Sequence, residues 1–239
     1  VEVIEVDDEG AAAATAADVI AHARPDVLGV ATGSSPAGTY GRLVERRDLA
    51  PPTVLCLLDE YVGLPPDHPR RYRREILAAL GAPLGLAVVA PDVDDPDPDA
   101  AAARYDATIA RLGGVDLQVL GVGRNGHIGF NEPGTPFDAP SHVVELSDAT
   151  RRDNARFFGS TQEVPARAIT QGIGTILRAR RIVLIATGPG KADAVRAAID
   201  GPVTPDVPVT ALRGHPSVTV VADRAALGGR RPAAPREVA

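Results

Sequence analysis

Short apolar runs rich in β-branched residues recur along the chain, separated by stretches whose apolar positions repeat at helical spacing. The runs Val1–Val6, Val27–Ala31, Thr53–Leu58, Ala87–Ala90, Leu117–Gly121, Val143–Leu146, Ile182–Thr187 and Ser217–Ala222 predict strands. Helices are predicted at Gly10–Arg24, Pro36–Arg47, Pro69–Leu80, Asp99–Leu112, Thr170–Ala179 and Lys191–Ile199. Strands that alternate with helices build βαβ units, in which a mainly parallel sheet carries helices on both faces. The unbroken run Ile182-Val183-Leu184-Ile185-Ala186 suits a strand buried on both sides, as such a sheet requires.

The predicted fold is therefore α/β, a three-layer, Rossmann-like open sheet. The 239 residues lie near the upper limit for one hydrophobic core, and residues 1–227 read as one domain. Pro91–Pro98 reads as a surface loop, and Gly228–Ala239, rich in Gly, Pro and Arg, as a flexible tail.

A formal charge of −6 argues against general nucleic-acid binding, which needs a basic face. No apolar run approaches the roughly 18 residues that would cross a bilayer. Val1–Val6 alternates with acidic residues instead of building a signal-peptide core, so a cytoplasmic location is expected. Cys56, the one cysteine, sits in the apolar run Val54–Leu58 and reads as a small buried hydrophobe. Of the 25 basic residues only Lys191 is lysine, which suggests a position where a compact ammonium is wanted and Arg would not serve.

Ligands on open parallel sheets bind beyond the carboxyl ends of the strands, so the strand-to-helix corners carry the chemistry. Thr32-Gly33-Ser34-Ser35-Pro36 combines a turn-forming glycine with hydroxyls and N–H groups at a helix start. That suits an anion, or an ordinary helix start with Pro in its first turn. In Thr187-Gly188-Pro189-Gly190-Lys191 the lone lysine opens a helix, against the helix dipole, which a bound anion would offset. Gly121-Val122-Gly123-Arg124-Asn125-Gly126 matches GxGxxG, but the Gly- and Pro-broken stretch that follows does not continue as a dinucleotide-binding helix. It reads better as a catalytic loop, with Glu132 close enough to orient His127 and stabilise its protonated form. Asp59 and Glu60 end a strand at the same rim, where general-base work, helix capping and a salt bridge all remain open.

Leu57-Leu58-Asp59-Glu60-Tyr61-Val62-Gly63-Leu64, with His68-Pro69, closely resembles the signature of glucosamine-6-phosphate deaminases. Gly121–Pro133 is similar to the second block of that family, and Ala31–Pro36, Thr150–Phe158 and Gly172–Thr175 follow in the family's order. The resemblance runs to about Ala222. It implies isomerisation and deamination of an amino-sugar phosphate, yielding fructose 6-phosphate and ammonia, with no metal and no organic cofactor. By motif, Asp59 would carry a proton between C2 and C1. His127, backed by Glu132 and Asn125, would open the sugar ring. Arg156, Lys191 and the Gly33, Ser34, Ser35 loop would hold the phosphate.

Some members carry Asp where this chain has Asn125, which leaves the ring-opening network on His127 and Glu132. Allosteric members bind an activator through side chains beyond the Asn-Glu-Pro segment. Here Pro136, His142 and Val144 stand at those positions, so no such activation is expected, and a monomer or small homo-oligomer is. The rival readings are a 6-phosphogluconolactonase, whose histidine block lacks Phe130-Asn131-Glu132-Pro133, and a sugar-phosphate-sensing module, which would tend to lose Asp59, His127 and Glu132.

Overall fold

In a computed structural model that describes residues 1–229, most of the apolar runs become parallel strands, and the central ones are buried on both faces. Among these residues the strands are β1 (Glu2–Val6), β2 (Val27–Val30), β3 (Val54–Leu57), β4 (Asp59–Val62), β5 (Ala87–Val89), β6 (Leu117–Leu120), β7 (His142–Glu145), β8 (Arg167–Thr170), β9 (Arg181–Ala186) and β10 (Val218–Asp223). The helices are α1 (Glu9–Ala23), α2 (Ser34–Arg46), α3 (Tyr72–Ile76), α4 (Ala82–Leu84), α5 (Pro98–Arg111), α6 (Asp148–Asn154), α7 (Ile173–Ile176) and α8 (Ala192–Asp200). Seven strands form one sheet in the order β1-β10-β9-β6-β2-β3-β5, every pair parallel.

Successive strand residues point to opposite faces, and the central strands divide accordingly. Leu28, Val30, Leu55, Leu57, Val183 and Ile185 enter one apolar layer with Ile20 of α1 and Leu43 of α2. Cys56, Leu120, Ile182 and Leu184 enter the other, with Ile109 of α5 and Val195 of α8. This is the predicted three-layer arrangement. Cys56 is wholly buried, and burial pushes its thiol up to about 12.

Helix starts follow local chemistry. The Asp8 carboxylate accepts the Ala11 N–H at 2.8 Å to cap α1, and Asp97 accepts that of Ala100 at 2.9 Å to cap α5. At α2, by contrast, Gly33 stands at the cap position with φ 106° and offers no side chain to cap the helix. The predicted helix from Pro69 begins only at Tyr72, because Arg71 is extended and the chain before it turns.

The strand order reverses direction between β2 and β6: chain connections run outward to β3 and β5 on one side, and to β9 and β10 on the other. Such a switch point opens a crevice at the carboxyl ends of the strands.

A second, antiparallel sheet of order β4-β8-β7 stands beside this end. It corrects two expectations. Val143–Leu146 is not among the parallel strands; its counterpart β7 is an edge of the small sheet. Within Thr170–Ala179 only Ile173–Ile176 is α-helical. Arg167–Thr170 pairs with two strands instead, and glycines at 172 and 174 press against the backbone of Asp138–Pro140. Of the expected C-terminal tail, Gly228 and Gly229 close a turn, Gly229 donating to the Arg224 carbonyl at 3.0 Å. The remainder lies outside the described residues.

Candidate active site

The neighbouring strands β9, β6, β2 and β3 deliver the three corners and Asp59 to one rim. There they enclose a cavity of about 380 Å³, which Gly33, Ser34, Ser35, Asp59, His127, Arg156 and Lys191 all line. Asn125 and Glu132 stand behind His127 and do not line the cavity.

The anion-seeking end forms where two chain turns meet. With no side-chain cap on α2, its first N–H groups stay available beside Ser34 and Ser35. The end of β2 is pinned by Tyr40, whose hydroxyl donates to the Ala31 carbonyl at 2.7 Å and accepts the Ala31 N–H at 3.1 Å. Opposite, Lys191 stands at the head of α8. Burial lowers its pKa, and the neighbouring Arg124 and Arg156 guanidiniums lower it further. Arg156 lies over the Phe157 ring, 4.7 Å from its centre.

Asp59 opens β4 directly after β3 ends, and it is only 7% exposed. Desolvation, with the adjacent Glu60 charge, pushes its carboxyl up to about 8. Glu60 points away and receives the N–H groups of Tyr72 and Arg73 at 3.0 and 2.8 Å, which caps α3. The paired carboxylates thus divide their roles. Asp59 faces the cavity and Glu60 holds the fold.

The loop after β6 curls on itself: Gly123 donates to the His127 carbonyl at 2.9 Å, and the Gly126 carbonyl accepts the Val209 N–H at 2.8 Å. Buried Asn131 donates to the carbonyls of Ile128 and Gln171 at 2.8 and 2.9 Å, anchoring the far side. The His127 ring packs on Gly123 so closely that a Cβ there would fall 2.2 Å from its Cε1.

One sequence expectation fails at this point. Glu132 does not bond to His127, whose Nδ1 is buried without a partner among the described residues. The Glu132 oxygens are taken instead by Asn125 Nδ2 at 2.9 Å, the Ser147 hydroxyl at 3.2 Å and the Thr150 hydroxyl. Burial outweighs the Glu132 charge and lowers the His127 pKa, so the imidazole is neutral near pH 7 rather than held protonated.

Comparison with known proteins identifies the family. The sequence profile of the glucosamine-6-phosphate isomerases/6-phosphogluconolactonase family matches residues 9–221. The chain belongs to this family. It is 48% identical over 224 residues to the glucosamine-6-phosphate deaminase of Geobacillus sp. (strain WCH70), covering 89% of each chain. With the glucosamine-6-phosphate deaminase of Streptomyces coelicolor it shares 48% over 238 residues, covering 94% of this chain and 91% of the relative. The solved structure of a monomeric glucosamine-6-phosphate deaminase superposes with a TM-score of 0.91 at 39% identity, covering 96% of this chain and all of that one. The 6-phosphogluconolactonase of Trypanosoma brucei superposes at 0.74 with 20% identity over 96% of this chain and 98% of its own, which shows a shared fold.

Within this isomerase/lactonase family member, several residues in and behind the cavity escaped the reading of the sequence. Arg124 lay in plain view inside the GxGxxG match, where glycines drew the attention. Tyr61 and Tyr72, joined hydroxyl to hydroxyl at 3.1 Å, wall the Asp59 side. Ser147 and Thr150 clasp Glu132 from the first turn of α6, a helix too short and polar for periodicity to reveal.

Proposed function

We propose that this protein deaminates and isomerises glucosamine 6-phosphate, yielding fructose 6-phosphate and ammonia. The observation that carries the reading is Asp59, a desolvated carboxyl that shares a small cavity with a neutral imidazole and with clustered cations.

The phosphate would lie between the α2 N-terminus and Lys191 with Arg156, far from the reacting bond, so its binding energy positions the sugar. His127 would take the anomeric hydroxyl proton and return a proton to the ring oxygen, opening the ring. Asn125 and Glu132 fix that loop. Asp59, ionised, would remove the C2 proton and deliver it to C1 on the same face of the planar intermediate. Water then adds at C2 and ammonia leaves, which balances the reaction. A base near pH 8 has the affinity for a carbon-bound proton that a carboxylate at its ordinary pKa lacks.

The finer parts of the reading belong to the same proposal: one domain over residues 1–227, action as a monomer or small homo-oligomer, and no activation by a sugar phosphate. A role in amino-sugar breakdown within the cytoplasm completes it. Support comes from the monomeric relative and from the absence, among the described residues, of any helix long and apolar enough to cross a membrane.

The test is ammonia release from glucosamine 6-phosphate, with Asp59→Asn alongside. Wild type should turn over and the variant should lose several orders of magnitude while still binding phosphate. Acid release from 6-phosphogluconolactone in place of ammonia would transfer the protein to the lactonase reaction.

A further inference from the structure

Three cations converge on the phosphate end of the cavity, and none of them is in an ion pair with a described carboxylate. Lys191, Arg156 and Arg124 all line it, so their charges face one enclosed space and not open solvent. Asp153 on the same cavity wall offsets part of this charge at Lys191, but less than either Arg124 or Arg156 adds, so the cluster keeps an excess of positive charge and has a place for an anion.

Arg124 is the member of this trio that no motif assigns. It is held in position from two directions. Its backbone belongs to the His127 loop, whose turn is closed by Gly126 donating to the Gly123 carbonyl at 3.0 Å. Its Nε lies 3.5 Å from where a side chain on Gly190 would begin, so the guanidinium covers the residue immediately before Lys191. It thereby bridges the loop after β6 to the loop after β9. Its charge is felt at Lys191 more strongly than that of Arg156.

We infer that Arg124 is a third phosphate ligand, closing the anion site from the catalytic-loop side and matching the second charge of a phosphate monoester dianion. The planar guanidinium supplies paired donors that lysine lacks. Because one short loop carries both Arg124 and His127, phosphate capture and placement of the ring-opening imidazole are joined through the chain between them. The inference rests on the deaminase reading for its substrate but not for its anion.

Calorimetry with inorganic phosphate and steady-state ammonia release, on wild type, Arg124→Ala, Arg124→Lys and the surface control Arg196→Ala, tests it. Arg124→Ala should weaken phosphate binding and raise KM together, by about tenfold or more, with kcat falling by far less. Arg124→Lys should recover part of the loss and Arg196→Ala should show none. Unchanged phosphate affinity in a folded Arg124→Ala would overturn the assignment, as would a loss confined to kcat. Wild type that binds phosphate through Arg124 yet releases no ammonia would leave this ligand standing and remove the deaminase reading instead.

Discussion

Asp59 and Glu60 are consecutive in the chain and opposite in circumstance. The Glu60 carboxylate accepts the N–H groups of Tyr61, Tyr72 and Arg73 at 2.9, 3.0 and 2.8 Å. Asp59 has no such donors, and burial with the Glu60 charge sets its proton affinity. The alternation of β4 separates them, turning residues 59 and 61 to the cavity and residue 60 toward α3. One carboxylate is thus neutralised by the backbone at the start of a helix while its neighbour is left with an appetite for a proton.

The pH dependence follows from Asp59. The base works only when ionised, so kcat/KM should rise with pH in a step at the point to which burial has pushed the Asp59 carboxyl, up to about 8. Carbon-13 NMR of the labelled carboxyl group should titrate at the same point. A carboxyl that titrates near pH 4 would remove the desolvated-base account.

Stability should carry the same signature with a definite sign. Folded Asp59 holds its proton up to about 8, whereas the unfolded side chain releases it near 3.8. Stability from this group is therefore complete below pH 4 and drains away as pH rises toward 8. Asp59→Asn removes that loss, for which a shift of this size sets an upper bound of about 6 kcal/mol. The variant should melt higher than wild type at pH 8.5, and the two should converge near pH 4. Parallel melting curves across that range would contradict the burial argument.

Glu60→Gln separates charge from capping. Without the Glu60 charge the Asp59 pKa falls, so the rise in kcat/KM moves to lower pH. The neutral amide oxygen still accepts an N–H from α3, but more weakly, and stability should drop by about 1–2 kcal/mol. An unmoved pH profile would mean that Glu60 does not act on Asp59 through charge.

Gly123→Ala addresses the imidazole. The glycine is not in a left-handed conformation, so any damage comes from the new methyl group, which would meet Cε1 of His127 at 2.2 Å. Displacing the ring by about 1 Å should cost roughly 10²-fold in kcat. Binding of inorganic phosphate should weaken far less than kcat falls, since Lys191, Arg156 and the start of α2 reach that end of the cavity from other loops and only Arg124 shares the altered one. A kcat close to wild type would show that the position of His127 is not limiting.

The parallel sheet and its corners were legible because their cause is local. Runs such as Leu28–Val30 and Ile182–Ala186 declare strands buried on both faces, and the carboxyl-end rule then points at whatever follows them. The small antiparallel sheet was not legible. Asp59–Val62 continues β3 after a single residue, and its strand identity comes from pairing with β8, more than a hundred residues away. Glycines were ambiguous for a related reason. Gly29 is small because a Cβ there would lie 2.0 Å from Oε1 of Gln118 on the neighbouring strand, and Gly172 because it meets the Pro140 carbonyl. Neither neighbour is visible along the chain. The direct contact expected between Glu132 and His127 rested on sequence distance alone, and it lost to three better donors.

Those donors make Asn125 the residue to change. Its Nδ2 gives Glu132 a hydrogen bond at 2.9 Å, and its Oδ1 accepts the His127 N–H at 3.2 Å. Aspartate in its place would keep the acceptor and lose the donor, setting two carboxylates within hydrogen-bonding distance. Two carboxylates this close repel when both are charged, so the pair holds one shared proton more tightly than separate carboxylates would. The support behind the His127 loop is then lost, so kcat should fall across the pH range while the step set by Asp59 stays in place. The variant should also lose stability relative to wild type as pH rises through the new pKa, because its folded form must give up a proton that the unfolded chain has already released. Profiles of kcat and melting temperature, taken from pH 5 to 9, measure both effects. If the two proteins trace the same curves, the Asn125–Glu132 hydrogen bond does not support His127, and the network behind the imidazole needs another account.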